Sequence, residues 1–238
     1  MIDKYFRTII INIGWFYEAA RWRLIKPLNR RQAIIRPAFG MSIGITTFMD
    51  RYNTCLRPLV NKLSILFPND QIVVIANGHV KGEKQKKYLS RISRYCMRYP
   101  NVELISYLEA KGLSHLWNII MERTKSKRVL ILNDDIRIKA NLSGFLEQSG
   151  ILKNDIATIN SSWSQFIISK DLYERIGLFD EGLKEIGGED DDYAARLAIK
   201  GINIANYVTR TIAAKLRRKN KLMTCNSYGK NMLLEAYG

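Results

Sequence analysis

The chain has 238 residues, enough to bury one substantial core, and 47% hydrophobic residues with four Trp exclude a disordered polymer. Its net charge of +16 sits mostly at the ends: residues 1–38 hold eight Lys/Arg against Asp3 and Glu18, and residues 207–238 hold seven against Glu235. A nearly balanced middle between two basic tails fits a domain docked on an anionic surface; nucleic acid is disfavoured as that surface, since zinc-ligand spacing, RNP and KH motifs and basic–aromatic alternation are all missing.

Three widely spaced cysteines, Cys55, Cys96 and Cys225, read as reduced thiols of a cytosolic protein. There is no apolar run of about eighteen residues, so no bilayer span is expected. The early apolar stretch is broken by Asn12 and Glu18, which argues against a cleavable signal.

In chain order, residues 1–26 read as a helix. Ile2, Phe6, Ile9, Ile13, Phe16, Ala20 and Leu24 form one apolar stripe, flanked by Arg7, Arg21, Arg23 and Lys26. The stripe fits the headgroup region of an anionic membrane, or a packing face on the protein's own core or on a second subunit. From Phe39 the pattern becomes alternating strand and helix: strands at 41–48, 71–76, 102–107 and 128–132, and helices at 55–67, 83–98 and 113–124. Such alternation predicts a mainly parallel sheet with right-handed crossovers, an α/β fold whose site forms where the first, second and fourth strands end.

The fourth strand carries the most pointed signal. Val129 to Leu132 is a continuous apolar run, fit for a strand buried on both faces, and it delivers Asn133, Asp134 and Asp135 to its carboxyl end. Adjacent carboxylates at that edge suit a hard divalent cation that also holds phosphate oxygens; a polar turn is the plain alternative. Further on, a helix at 142–148, strands at 156–159 and 163–169 and a helix at 170–176 lead to a turn-rich stretch. Then Gly187-Gly188-Glu189-Asp190-Asp191-Asp192 gathers four acids in the first turn of a helix, where its dipole favours them. Asp192 and Arg196 stand one turn apart and can pair, so the acids nearest the glycines are the better candidates for chemistry. Trp163 is a candidate for stacking on a ligand, with core packing as the alternative.

With these residues in view, the stretch from about Ser42 to Asn206 resembles the inverting GT-A glycosyltransferases of family two, which use nucleotide-sugar donors. The strand with Thr46, Thr47 and Arg51 is similar to the strand opening that family's nucleotide pocket. Ala76 and Asn77 stand where two carboxylates are usual. Lys111-Gly112-Leu113-Ser114 with Asn118 resembles the segment passing the pyrophosphate. Asn133-Asp134-Asp135 looks like the metal-binding acid triplet with its first member changed. The late glycine–acid motif is also similar to that of the β-1,4-galactosyltransferases.

The resemblance implies Asp190 as catalytic base, with Glu189 on sugar or acceptor hydroxyls and Asp191 and Trp163 facing the acceptor. It implies Asp135 as ligand to Mn²⁺ or Mg²⁺, and Thr46, Thr47, Arg51, Asn77, Lys111, Asn118 and Asp134 around the donor nucleotide. A Gln-x-x-Arg-Trp element of processive polymerases is missing, so one sugar is expected per binding event. The expected protein is then a peripheral enzyme on the inner face of the cell membrane. It would move a sugar from a UDP-sugar to a glycan or lipid-linked acceptor in cell-surface polysaccharide synthesis. Its expected plan is a basic N-terminal segment (1–38), a GT-A domain (39–208) and a basic extension (209–238). Two rivals stand: a sugar-nucleotide nucleotidyltransferase, against which Gly44 to Phe48 offers no glycine-rich phosphate loop, and a non-catalytic membrane-surface module.

Overall fold

A computed structural model describes residues 38–48, 51–78, 82–139, 141–183 and 188–214. The expected N-terminal helix, the basic stretch after residue 214, His79, Gly187 and Cys225 lie outside the described residues.

The first half is a strand–helix alternation. Strands β1 (Ser42–Thr47), β2 (Ile72–Ala76), β3 (Val102–Ser106) and β4 (Arg128–Asn133) are joined by helices α1 (Arg57–Leu66), α2 (Gly82–Cys96) and α3 (Leu113–Arg123). Sequence explains these elements. β1, β2 and β4 are almost wholly buried, as the apolar runs Ile72–Ala76 and Val129–Leu132 require of β2 and β4, and Pro58 sits in the first turn of α1, where its missing N–H is no loss. A wider-wound turn, Tyr52–Leu56, leads into α1 and was not foreseen.

Then come β5 (Ile136–Ile138), α4 (Leu142–Gln148), β6 (Ile156–Ile159), β7 (Ser162–Ser169), α5 (Lys170–Ile176), α6 (Glu189–Ile199), β8 (Ala205–Tyr207) and β9 (Ile212–Ala214). The hydroxyl of Ser169 caps α5 by accepting the Leu172 N–H at 3.2 Å.

Seven strands form one sheet in the order β3-β2-β1-β4-β7-β6-β8. All run the same way except β7, which is antiparallel to both β4 and β6. The chain winds outward from β1 to β3 and then crosses back to lay β4 on the other side of β1. The order therefore reverses between β1 and β4, and their carboxyl ends flank a crevice of the kind where α/β sheets bind ligands.

Each face of the sheet has its own core. Ile43, Ile45, Val74 and Leu132 pack with Leu59, Leu63 and Ile92 of α1 and α2; Val73, Ile131 and Phe166 pack with Leu116 and Ile120 of α3, Tyr173 of α5 and Tyr193 and Leu197 of α6. β9 pairs antiparallel with β5, and Ile212 is fully buried in the first core. The α/β unit thus runs on to at least Ala214, past the boundary expected at 208. Cys55 and Cys96 are buried thiols, and burial pushes Cys96 up to about 12, which disfavours its thiolate. Among the described residues no helix is long and apolar enough to cross a membrane.

Candidate active site

The crevice between β1 and β4 is built around one buried carboxylate. Asp134 is 1% exposed, its Oδ1 sits 2.6 Å from Arg51 Nη1, and its Oδ2 accepts the Thr47 hydroxyl at 2.7 Å. Thr47 is held in turn by Tyr88 at 3.0 Å, and Tyr88 donates to the Phe48 carbonyl. Neighbouring Thr46 donates to Asn133 at 3.2 Å. Burial pushes the Asp134 carboxyl up to about 6, against the opposing pull of Arg51 and Thr47. Asp135 differs: its side chain is 33% exposed and stands 3.7 Å from Arg51 Nη2. Arg51 therefore bridges both acids, a role its place four residues past β1 did not announce.

Beside this, Asn77 fastens the strand ends. Its Oδ1 accepts the N–H groups of Gly78 and Lys111 at 2.9 Å, and its Nδ2 donates to the Lys111 carbonyl at 2.9 Å. The segment around Glu109 lies so close that a Cβ on Gly78 would fall 1.9 Å from the Glu109 carbonyl oxygen, so only glycine fits. The Lys111 ammonium stays partly exposed, 3.9 Å from Glu109.

The second acid group opens α6. Gly188 takes φ +117°, a conformation that L side chains rarely adopt, and turns the chain into α6. Glu189 is buried, Asp190 is half-buried with Oδ1 accepting the Asp191 N–H at 3.2 Å, and Asp191 is exposed. Asp192 pairs with Arg196 at 2.9 Å, as its spacing foretold. Arg196 also donates to the carbonyls of Ile176 and Leu178 and lies 4.7 Å over the Tyr193 ring. It ties α6 to the turn before it.

Strand register carries Trp163 to the end of β4. The β4–β7 ladder ends at Leu132 opposite Gln165, and Asp134 and Trp163 each lie two residues beyond that pair. The Trp163 ring meets Tyr193 at 6.3 Å, and Tyr193 stands one turn past Glu189. Trp163 also packs edge-on against Phe166 and Phe179, so most of its ring serves an aromatic cluster.

Burial moves several expected donor contacts one layer back. Thr46 and Thr47 are fully buried, Asn77 is 1% and Asn118 2% exposed, and their polar atoms bond to the protein itself. Asn118 shows this most fully: its amide accepts from Phe179 N–H and donates to the Phe179 carbonyl and to Glu181, at 2.8–2.9 Å. With oxygen and nitrogen spent on residues 179–181, it positions that segment and has no hydrogen left for a nucleotide.

Sequence reading also passed over Glu181 and His115. His115 Nδ1 lies 2.8 Å from Glu181, and its Nε2 lies 3.1 Å from the Tyr107 hydroxyl, which fixes the neutral ring as the Nδ1–H tautomer. Burial works against the Glu181 charge, but bonds from Asn118 and His115 hold its carboxyl below the usual value. The spacing of His115 and Asn118, one face of α3, was the available signal.

Among the described residues no three His, Cys, Asp or Glu side chains gather as a metal cage. The donor set still fits a cation that arrives with phosphate: Asp134 is saturated, whereas Asp135 offers an accessible carboxylate, and Mg²⁺-type ions commonly take one or two carboxylates plus phosphate oxygens.

The arrangement has the GT-A-type fold, the α/β scaffold of nucleotide-sugar glycosyltransferases. The mannosyltransferase PcManGT from Pyrobaculum calidifontis, solved with GDP-Man and Mn²⁺, superposes with a TM-score of 0.59 at 12% identity, over 87% of this chain and 68% of that one. GalNAc-T7 with UDP, GalNAc and Mn²⁺ gives 0.61 at 13% identity, over 82% of this chain and 47% of that chain. S. aureus TarS 1-349 in complex with UDP-GlcNAc gives 0.55 at 14%, over 77% and 62%. The chain thus spans about half to two thirds of these structures. No protein-family model matches the sequence, and a search of curated proteins found no match.

Proposed function

We propose that this protein is a glycosyltransferase that moves one sugar from a nucleotide-diphosphate donor to a saccharide or lipid-linked acceptor with inversion. UDP-sugars are the first donors to test. The observation that carries the reading is the delivery of Asp134 and Asp135 to the carboxyl end of β4, beside β1 at the switch point of the sheet.

In this scheme Asp190 takes the proton of the acceptor hydroxyl as it attacks the anomeric carbon from the face opposite the diphosphate. Glu189 holds sugar or acceptor hydroxyls, and Asp191 and the exposed edge of Trp163 border the acceptor. Arg51 and Lys111 supply positive charge to the donor side; Thr46, Thr47, Asn77 and Asp134 keep that side rigid from behind. Asp135 would hold Mn²⁺ or Mg²⁺, which supplies charge neutralisation for the leaving diphosphate. The basic tails favour work at the cytoplasmic face of a membrane, on acceptors for cell-surface polysaccharide.

The test is thermal stabilisation by a panel of nucleotide-sugars with and without Mn²⁺, followed by donor hydrolysis and transfer assays. Stabilisation by one nucleotide class, with turnover lost in Asp190→Asn, is the expected result. A flat response to every donor would remove the proposal.

A further inference from the structure

The first core leaves the outer side of α2 facing solvent, and that side is built in an unusual way. Lys86, Lys87, Ser90, Arg91, Arg94, Met97 and Arg98 are exposed, whereas Gln85, Tyr88, Ile92, Tyr95 and Cys96 are buried. At 100° per residue the exposed set fills one arc of about 140°. Lys87, Arg91, Arg94 and Arg98, spaced four, three and four apart, make a straight stripe.

None of these five cations forms an ion pair with a described residue, and the helix contains one acid, Glu83, in its first turn. Like charges one turn apart repel, so the stripe opposes its own helix unless something anionic lies across it. Met97, in the turn just past α2, lies at the edge of the same arc, beside Lys86 and Ser90, and is 79% exposed. Cations around an exposed flexible apolar side chain are what a headgroup layer accepts.

We propose that this outer face of α2 is a docking surface for an anionic lipid bilayer. The proposal deepens the membrane reading above and is independent of the transfer chemistry. Single-stranded nucleic acid fits worse, because it needs open aromatic rings, and the rings of Tyr52 and Tyr95 already lie under Arg91 at 5.3 Å and Arg98 at 5.9 Å. The inner side of the same helix touches the site: Gln85 donates to the Asn77 carbonyl at 2.8 Å, and Tyr88 contacts Thr47 at 3.0 Å. A bilayer on the outer face would thus lie about one helix diameter, ~10 Å, from the donor side of the crevice.

The experiment uses the full chain, with both tails, and vesicles of phosphatidylcholine with or without about one third phosphatidylglycerol, at ~0.1 M salt. Lys87→Gln/Arg91→Gln/Arg94→Gln/Arg98→Gln is compared with Lys125→Gln/Lys127→Gln/Lys153→Gln/Lys200→Gln, which removes the same charge from other exposed positions. Each cation at an anionic leaflet is worth roughly fivefold in partitioning, so even partial engagement gives the α2 variant at least a tenfold loss on anionic vesicles. The control variant should lose less than about threefold. The α2 variant should melt at or above the parent temperature, since repulsion is relieved, which also shows that it folds. Equal losses in both variants would mean bulk charge alone, and no loss in the α2 variant would mean that other segments bind the vesicles. Retained vesicle binding with lost affinity for RNA would mean a nucleic-acid face. Each of these three overturns the proposal. Vesicle binding needs no donor, so failure of the transferase reading leaves this test standing.

Discussion

The two acid groups, one after β4 and one at the start of α6, are built in opposite ways. Asp134 is sealed between β1 and β4, neutralised by Arg51 and bonded to Thr47, and its charge is part of the frame. Glu189 to Asp192 ride on the first turn of α6, where one acid in four is tied down by Arg196 and the helix dipole favours the rest. A fixed, compensated charge keeps the end of β4 rigid and leaves the neighbouring Asp135 carboxylate accessible. The acids of α6, by contrast, range from the buried Glu189 through the half-buried Asp190 to the exposed Asp191.

The largest expected effect tests that division. Asp190→Asn should lower kcat by about a thousandfold or more while a nucleotide-sugar still raises the melting temperature; lost donor stabilisation would put Asp190 on the donor side instead. Arg51→Met should act on stability, by about 3–5 kcal/mol in chemical denaturation, because it strands a buried carboxylate. Adding Asp134→Asn to that variant should restore part of the loss, since the stranded charge is then gone. Gly78→Ala comes next, at about 2–3 kcal/mol, because its methyl would strike the Glu109 backbone. Arg196→Met should cost about 1–2 kcal/mol through the carbonyls of Ile176 and Leu178 that it leaves without their donor. The smallest effect belongs to Asp192→Asn, at about 0.5 kcal/mol with transfer nearly unchanged, which would separate it from Asp190 two residues away.

Much of the frame was legible because its elements are local. Parallel strands buried on both faces must be unbroken apolar runs, so Ile72–Ala76 and Val129–Leu132 announced themselves, and the acids after β4 followed from where the run stopped. The Asp192–Arg196 pair was legible for the same reason, being one helical turn. Less local features were hidden. Ile136–Ile138 and Ile212–Ala214 are three-residue strands far apart in the chain, too short to show a period, and only their pairing makes them strands.

Sequence alone determined that this is an alternating α/β chain with acids delivered to strand and helix ends, because burial on both faces and helix periodicity act over a few residues. Tertiary structure decided which acid is compensated and which is accessible. It turned Asn118 toward residues 179–181, and it gave Arg51 to Asp134. Those outcomes depend on distances between residues tens of positions apart, and a polar side chain reads the same in sequence whether it faces solvent, substrate or its own backbone.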